Sequence, residues 1–275
     1  MNVCLRLSLL LVLLGGFLGA PPQEATPTGT RSGRTRRAEP PNPAPLKVTP
    51  YGQEHLLTCE AAALRMVLDY YGVQRTESEI QAAFPITEDP TRGYRGTDVD
   101  GNVGFVHYGA HAPAVAAVLQ RLLDEAGKPY RAVWATFRSR EAALEAVQKA
   151  LERGSPVIVW MTWRARGGNI PKTLEIEASH TVRYWQPYPW RPGRPPRRWV
   201  SATVTRRVTL VEGEHVEVVY GMEGDRLYAI DPYSYRQENG RLVRSRPNGF
   251  RYTWKGGPAG WEYFDYAVVY VLPRS

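Results

Sequence analysis

Tyr51 to Gly72 reads YGQEHLLTCEAAALRMVLDYYG, a loop that runs into a helix with Cys59 at the junction. Thr58 stands at the N-cap position and Gly72 at the stop. Ala62, Ala63, Met66, Val67 and Tyr70 recur at helical spacing from Cys59, so the predicted helix has a buried face that Cys59 begins. Backbone N–H groups are unpaired at that end, and the helix dipole there favours a thiolate. Upstream, Gln53 carries a side-chain amide able to donate to an oxyanion. A free cysteine on an apolar stripe is in general a packing residue. This stretch alone therefore leaves two readings open, a core thiol and a nucleophile.

The rest of the chain bears on that choice. Leu7 to Ala20 is an uncharged apolar run preceded by Arg6, shorter than the ~20 residues of a membrane span. Residues 1–20 are expected to be a signal peptide or an N-terminal anchor, which makes the protein extracytoplasmic, secreted or tethered. Cys4 precedes the run and is not placed as a lipidated cysteine. Of the two cysteines in 275 residues, only Cys59 survives removal of the leader. A solitary thiol in an exported chain cannot form an internal disulfide, and reactivity is one of the few reasons to keep it. Residues 21–45 are rich in Pro, Thr and Arg and read as a disordered linker, with Arg34, Arg36 and Arg37 as a candidate processing site. The formal net charge of +8 suggests attraction to anionic surfaces without establishing nucleic-acid binding. No zinc-knuckle spacing, Walker loop or dinucleotide fingerprint is present, so neither cofactor nor metal is expected.

Beyond Gly72, Thr76-Glu77-Ser78-Glu79 has the capping-box pattern and opens a short helix. Pro85 to Ala110 is a long Gly-rich loop. Asp98, Asp100 and Asn102 alternate there as at the start of a calcium loop, but position 12 counted from Asp98 is Gly109, so turn chemistry is the expectation. Helices are predicted over 113–126 and 139–153, strands over 130–137 and 156–163. Arg164 to Arg207 carries ten Lys or Arg against two Glu, with aromatics and prolines interleaved at its centre. Residues 164–198 are therefore expected to be a solvent-projecting excursion, suited to a peptide, glycan or envelope surface rather than to nucleic acid. Strands follow over 199–211, 215–221, 226–231 and 265–272, the middle pair reading as a hairpin. Helices first and strands later give an α+β fold, with N-terminal helices on an antiparallel sheet in one domain over 46–273.

His215 and Asp231 sit at opposite ends of that hairpin. A loop of three or five residues centred on Glu223 places them directly opposite, with Cβ atoms ~5 Å apart. A loop of two or four residues instead places Pro232 opposite His215. An Asp beside a His fixes the imidazole tautomer and supports its charged form. His215 is preferred over His55, which is too near Cys59 in sequence, and over His107 and His111, which have no carboxylate held opposite. His180 is the rival, but Pro-rich sequence follows it and no ordered hairpin partner is expected. Cys59, His215 and Asp231 then supply nucleophile, base and orienter, with Gln53 and the Cys59 N–H as oxyanion donors.

The chain also resembles a known family. Gln53…Cys59-Glu60-Ala61-Ala62, Met66-Val67-Leu68, Tyr70-Tyr71-Gly72, GSPVIVW (154–160), EHVEVVYG (214–221) and LYAIDPY (227–233) are similar to stand-alone relatives of the bacteriocin-processing cysteine peptidases. These form family thirty-nine of the cysteine peptidases and have a papain-like fold. The resemblance covers roughly residues 46–273. It implies a bacterial, exported cysteine peptidase with Cys59 as nucleophile, His215 as base, Asp231 as orienter and Gln53 as oxyanion donor. Glu60, where many relatives have Gly, Met222, where a Tyr is common, and the long Arg/Pro-rich excursion depart from the pattern and bear on substrate choice. Trp160 is the candidate substrate-binding residue. Expected partners are a peptide or protein substrate and, through the basic excursion, an anionic envelope surface. A cysteine amidase or transferase acting on cell-wall peptides shares every catalytic residue, and a non-catalytic envelope-binding module would bury the thiol or misplace the histidine.

Overall fold

The computed structural model describes residues 44–101, 104–187 and 197–274. The leader, nearly all of the linker, Asn102 and the centre of the Arg/Pro-rich segment lie outside the described residues.

The described residues form four α-helices: α1 (Cys59–Tyr70), α2 (Glu77–Ala82), α3 (Ala112–Glu125) and α4 (Arg140–Glu152). Each start follows from its sequence. Thr76 and Glu79 close the capping box on α2, Pro113 lies in the first turn of α3, and the Ser139 side chain accepts from the Ala142 N–H on α4. Thr58 precedes α1 without capping it. Its hydroxyl is turned to Glu77 and to the His55 carbonyl instead.

Ten strands follow: β1 (Tyr130–Ala135), β2 (Val157–Thr162), β3 (Thr173–Pro187), β4 (Arg197–Val211), β5 (Glu214–Glu223), β6 (Arg226–Asp231), β7 (Tyr235–Glu238), β8 (Arg241–Arg244), β9 (Phe250–Lys255) and β10 (Val268–Pro273). Six make one antiparallel sheet in the order β1-β10-β2-β5-β6-β9. The expected α+β arrangement is present, with one refinement. Alternation sends Ile158, Trp160, Val216, Val218 and Ile230 to a face shared with α1 and α3. Val157, Val159, Val219, Leu227 and Ala229 go to the other face, where Ala143, Val147, Ala150 and Leu151 of α4 cover them. Helices thus pack on both faces of the sheet, because each face offers its own apolar stripe.

On both sides of its centre the Arg/Pro-rich segment forms strands. Its arms, β3 and β4, pair without a slip from Thr173↔Val211 to Pro187↔Arg197. Thr, Val, Ile and aromatic residues at alternate positions outweigh the charge in deciding its structure. The base of the ribbon buries Ala178, Val208 and Leu210 against Tyr108 of the Gly-rich loop. Arg206 also clamps Asp89 through two nitrogens, at 3.0 and 2.8 Å. His180, expected to lack an ordered partner, pairs with Val204 in this ribbon.

The β5–β6 hairpin turns on two residues, Gly224 and Asp225, between Glu223 and Arg226. That is the loop length expected to spoil the alignment of His215 with Asp231. A bulge at Tyr220, between Val219 and Gly221, shifts the register by one residue and returns His215 and Asp231 to one face, though not to the directly opposite positions expected. Beyond the bulge Val218 pairs with Ile230. Glu217 therefore comes opposite Asp231, and His215 lies diagonal to it on the same face.

Candidate active site

Cys59 opens α1 and is 5% exposed. Its Sγ donates to Glu60 Oε2 at 3.3 Å. Glu60 is fully buried, and its other oxygen accepts from the Ala110 N–H. Glu214, at the start of β5, brings its carboxylate to the same place: Cys59, Glu60 and Glu214 each place a ligand atom within 4.8 Å of the others. Among the described residues neither Glu214 oxygen has a hydrogen bond of ordinary geometry, although the Trp160 indole acts on the carboxyl, and the residue as a whole is only half-buried. Gly109 makes this approach possible, since a Cβ there would collide with both carboxylates. If a cation bound beside the thiol, these three residues would hold it.

This setting reverses one expectation. The start of a helix was expected to favour a thiolate. Burial, then the charges of Glu60 and Glu214, push the Cys59 thiol well above its ordinary range, and the weak backbone contribution of Val216 does not offset them. Glu60 and Glu214 are themselves raised, first by burial, and two adjacent buried carboxyls cannot both ionise freely.

His215 and Asp231 are brought together. His215 Nε2 lies 2.6 Å from Asp231 Oδ1, both residues are buried, and with Asp231 ionised the imidazole is the donor. The same Oδ1 accepts from the Tyr233 N–H at 2.7 Å. Burial pulls the His215 pKa down, but the Asp231 charge and hydrogen bond, with Glu217 and Glu60 behind them, outweigh it and the net direction is up. Trp163 packs against the ring at 5.9 Å, and the Arg166 guanidinium lies 3.6 Å over Trp163. Nδ1, the second ring nitrogen, makes no hydrogen bond among the described residues.

Cys59 Sγ and His215 share no hydrogen bond among the described residues. They occupy opposite sides of one strand end. Glu214 and Val216 point to the α1 face, and His215 and Glu217 to the other. Glu60 is the link between them, close enough for its charge to act on His215 and for His215 to act on it.

Gln53 is fully buried. Its Nε2 donates to the His55 and Leu56 carbonyls, at 2.7 and 2.9 Å, so both amide protons serve its own loop. In this arrangement Gln53 braces the approach to the helix and has no proton left for an oxyanion. That loop is tied to the acid strand: Gln53 N–H donates to the Pro232 carbonyl at 2.7 Å, and Arg244 holds the Gln53 and Gly52 carbonyls. Trp160, the expected substrate contact, is 0% exposed and donates to the Ala110 carbonyl. It is core, because β2 is one of the two central strands and all of its residues are buried.

The other histidines are better furnished than their sequence context suggests. His55 contacts Asp100 at 2.8 Å, in an exposed pair. His111 is half-buried with Tyr108 Oη at 3.1 Å, and desolvation pulls its pKa down to about 4, against the opposing charge of Asp89. His107 accepts from the Asp98 N–H. Asp98 accepts from the Asp100 N–H, the turn chemistry expected of this loop. Only His215 combines burial with a carboxylate hydrogen bond among the described histidines.

A family model described as Peptidase_C39 like family matches residues 45–256. The chain belongs to this family. A solved structure from Bacillus anthracis, assigned to the C39-like peptidases, covers 86% of this chain and 100% of its own, at a TM-score of 0.54 and 16% identity. At that identity the likeness is one of fold. No curated protein matches the chain. Membership brings a cysteine-peptidase type of function, and within the family's span lie all the groups described above.

Sequence reasoning missed the acidic residues around these groups. The signal was present: Glu60 interrupts an otherwise apolar helix start, and Glu217 interrupts the apolar strand VEVVY. A charged residue on a core stripe is in general paired or functional.

Proposed function

We propose that the protein is an exported bacterial cysteine peptidase that cleaves peptide bonds through an acyl-enzyme on Cys59. The observation that carries this reading is the buried His215–Asp231 pair, which engages Nε2 and leaves Nδ1 available. The nucleophile, at the start of α1, packs at the end of the strand that carries this histidine. In the described state the thiol is protonated and turned to Glu60. This reading requires a working state in which Sγ and Nδ1 meet at the strand end, where the imidazole takes the thiol proton as the sulfur attacks the carbonyl carbon. The imidazolium then returns that proton to the leaving amine, and water releases the acyl group by the same route. Asp231 holds the tautomer and offsets the imidazolium charge. The Cys59 N–H stands at the helix start where an oxyanion would form.

Export rests on the apolar leader. A role for the ribbon in holding the enzyme to an anionic surface rests on its exposed basic and aromatic residues, among them Arg183 and the Trp185–Trp199 pair with ring centroids 4.3 Å apart. Turnover of a peptide library by the full chain tests the central reading. Cleavage that disappears with Cys59→Ala, in a variant that keeps its fold, is the expected result. Cleavage that survives the substitution overturns it.

A further inference from the structure

The mechanism leaves one buried acid beside the histidine without a task. Glu217 is fully buried, on the same face of β5 as His215. Its Oε2 accepts from the Trp254 indole N–H at 2.5 Å. Its Oε1 has no hydrogen-bond partner among the described residues. Across the hairpin Asp231 shows the same asymmetry: Oδ1 receives His215 and Tyr233, while Oδ2 is buried and unpartnered. The register beyond the bulge sets these two residues opposite each other on neighbouring strands, on one face, where Cβ atoms lie ~5 Å apart. Both oxygens are acceptors when ionised, and each stands without a hydrogen-bond partner among the described residues. One proton satisfies both, since a protonated carboxyl can donate and an ionised one can accept.

We infer that Glu217 is a positioning residue whose protonated carboxyl donates a hydrogen bond to Asp231 Oδ2 and so holds Asp231 Oδ1 on His215 Nε2. The inference rests on the reading of His215 as the base. The surroundings agree with it. Burial, then the Asp231 charge, push Glu217 up to about 8. Trp254 and His215 pull the other way, as does Arg166, but the Arg166 side chain is exposed and lies over the Trp163 ring. The charged and titratable groups facing Glu217 are thus His215 on its own strand, Asp231 on β6, Tyr252 on β9 and Arg166 after β2. Among them Asp231 has the empty acceptor. Ionisation of Glu217 would set two carboxylates against each other and loosen the hold on the imidazole.

The test follows the His215 imidazole by NMR as pH is raised, in the full chain carrying Cys59→Ala, so that it does not depend on turnover. Three forms are compared: Glu217 intact, Glu217→Gln, which keeps a donor for Asp231, and Glu217→Leu, which does not. The expected result with Glu217 intact is a second inflection near pH 8, beyond the ring's own titration. Glu217→Gln should abolish that inflection and keep the Nε2 proton hydrogen-bonded. Glu217→Leu should lose both. In the enzyme with Cys59 present, Glu217→Gln should extend the alkaline limb of kcat, while Glu217→Leu lowers kcat with little change in KM. Absence of the second inflection with Glu217 intact overturns the inference without needing either variant to fold. Its persistence in Glu217→Gln does so too. Neither result touches the nucleophile assignment, which falls only if Cys59→Ala retains turnover.

Discussion

Strand β5 divides two acid-lined regions that treat their central group in opposite ways. On the α1 face, Glu60 and Glu214 surround a thiol. On the other face, Asp231 and Glu217 surround an imidazole. All four carboxyls are buried or have buried oxygens. Beside the thiol, negative charge and burial act in the same direction, and both keep the proton on sulfur. Beside the imidazole they oppose each other, and charge prevails. The same kind of neighbour therefore silences an acid and strengthens a base. The mechanism proposed above requires the sulfur to leave the first region for the second before a thiolate–imidazolium pair can form.

The largest effects are expected at the groups to which the proposal assigns the chemistry. His215→Ala should lower kcat/KM by on the order of 10²–10⁴-fold, the span of general acid–base contributions. Activity within twofold of wild type would show that the imidazole region is structural. Asp231→Asn should cost less, since an acceptor oxygen can remain on Nε2 while the tautomer is held more poorly.

A change of opposite sign sharpens the contrast. Glu60→Gln removes one charge from the thiol region, so Cys59 should ionise more readily and iodoacetamide should label it faster at neutral pH. A one-unit fall in thiol pKa would give roughly a tenfold rise in rate. Glu217→Gln, on the other face, should leave that rate nearly unchanged. Equal acceleration by both would mean that the two regions are one electrostatic unit.

The effect on stability is smaller and depends on pH. Glu217 is raised from 4.5 to about 8 in the folded chain. A carboxyl with a raised folded pKa gives its stability below the unfolded value and loses it as pH rises through the folded one. Wild type should therefore lose thermal stability between about pH 4.5 and pH 8 relative to Glu217→Gln, with no further divergence above. Melting curves across that range measure it, and a parallel pH profile for the two proteins would break the assignment of a neutral Glu217. The smallest effect is expected at His180, where replacement by Ala in the ribbon should leave turnover nearly intact.

Much of this arrangement was legible in the chain. Helical spacing located α1, the capping box located α2, and alternation around a hairpin brought His215 and Asp231 to one face. Local rules sufficed because those elements are set by neighbours in sequence. The Tyr220 bulge was not legible, since an extra residue in a strand leaves no local mark, and the loop length read alone pointed the wrong way. The thiol's proton affinity was not legible either. It depends on Glu214, far along the chain, and on Gly109 letting two carboxylates approach. Trp160 illustrates the converse: an aromatic near a motif looks available until the sheet order makes its strand central.

The bulge at Tyr220 has a consequence for how this hairpin can change over generations. In a strand, each residue gained or lost in the turn exchanges inside for outside along the whole arm. The tight Gly224-Asp225 turn and the extra residue at Tyr220 cancel each other's parity. A lineage that lengthens the turn by one residue must shed the bulge in the same step, or His215 and Asp231 part to opposite faces. Turn and bulge thus form a linked pair, although neither touches the other's chemistry.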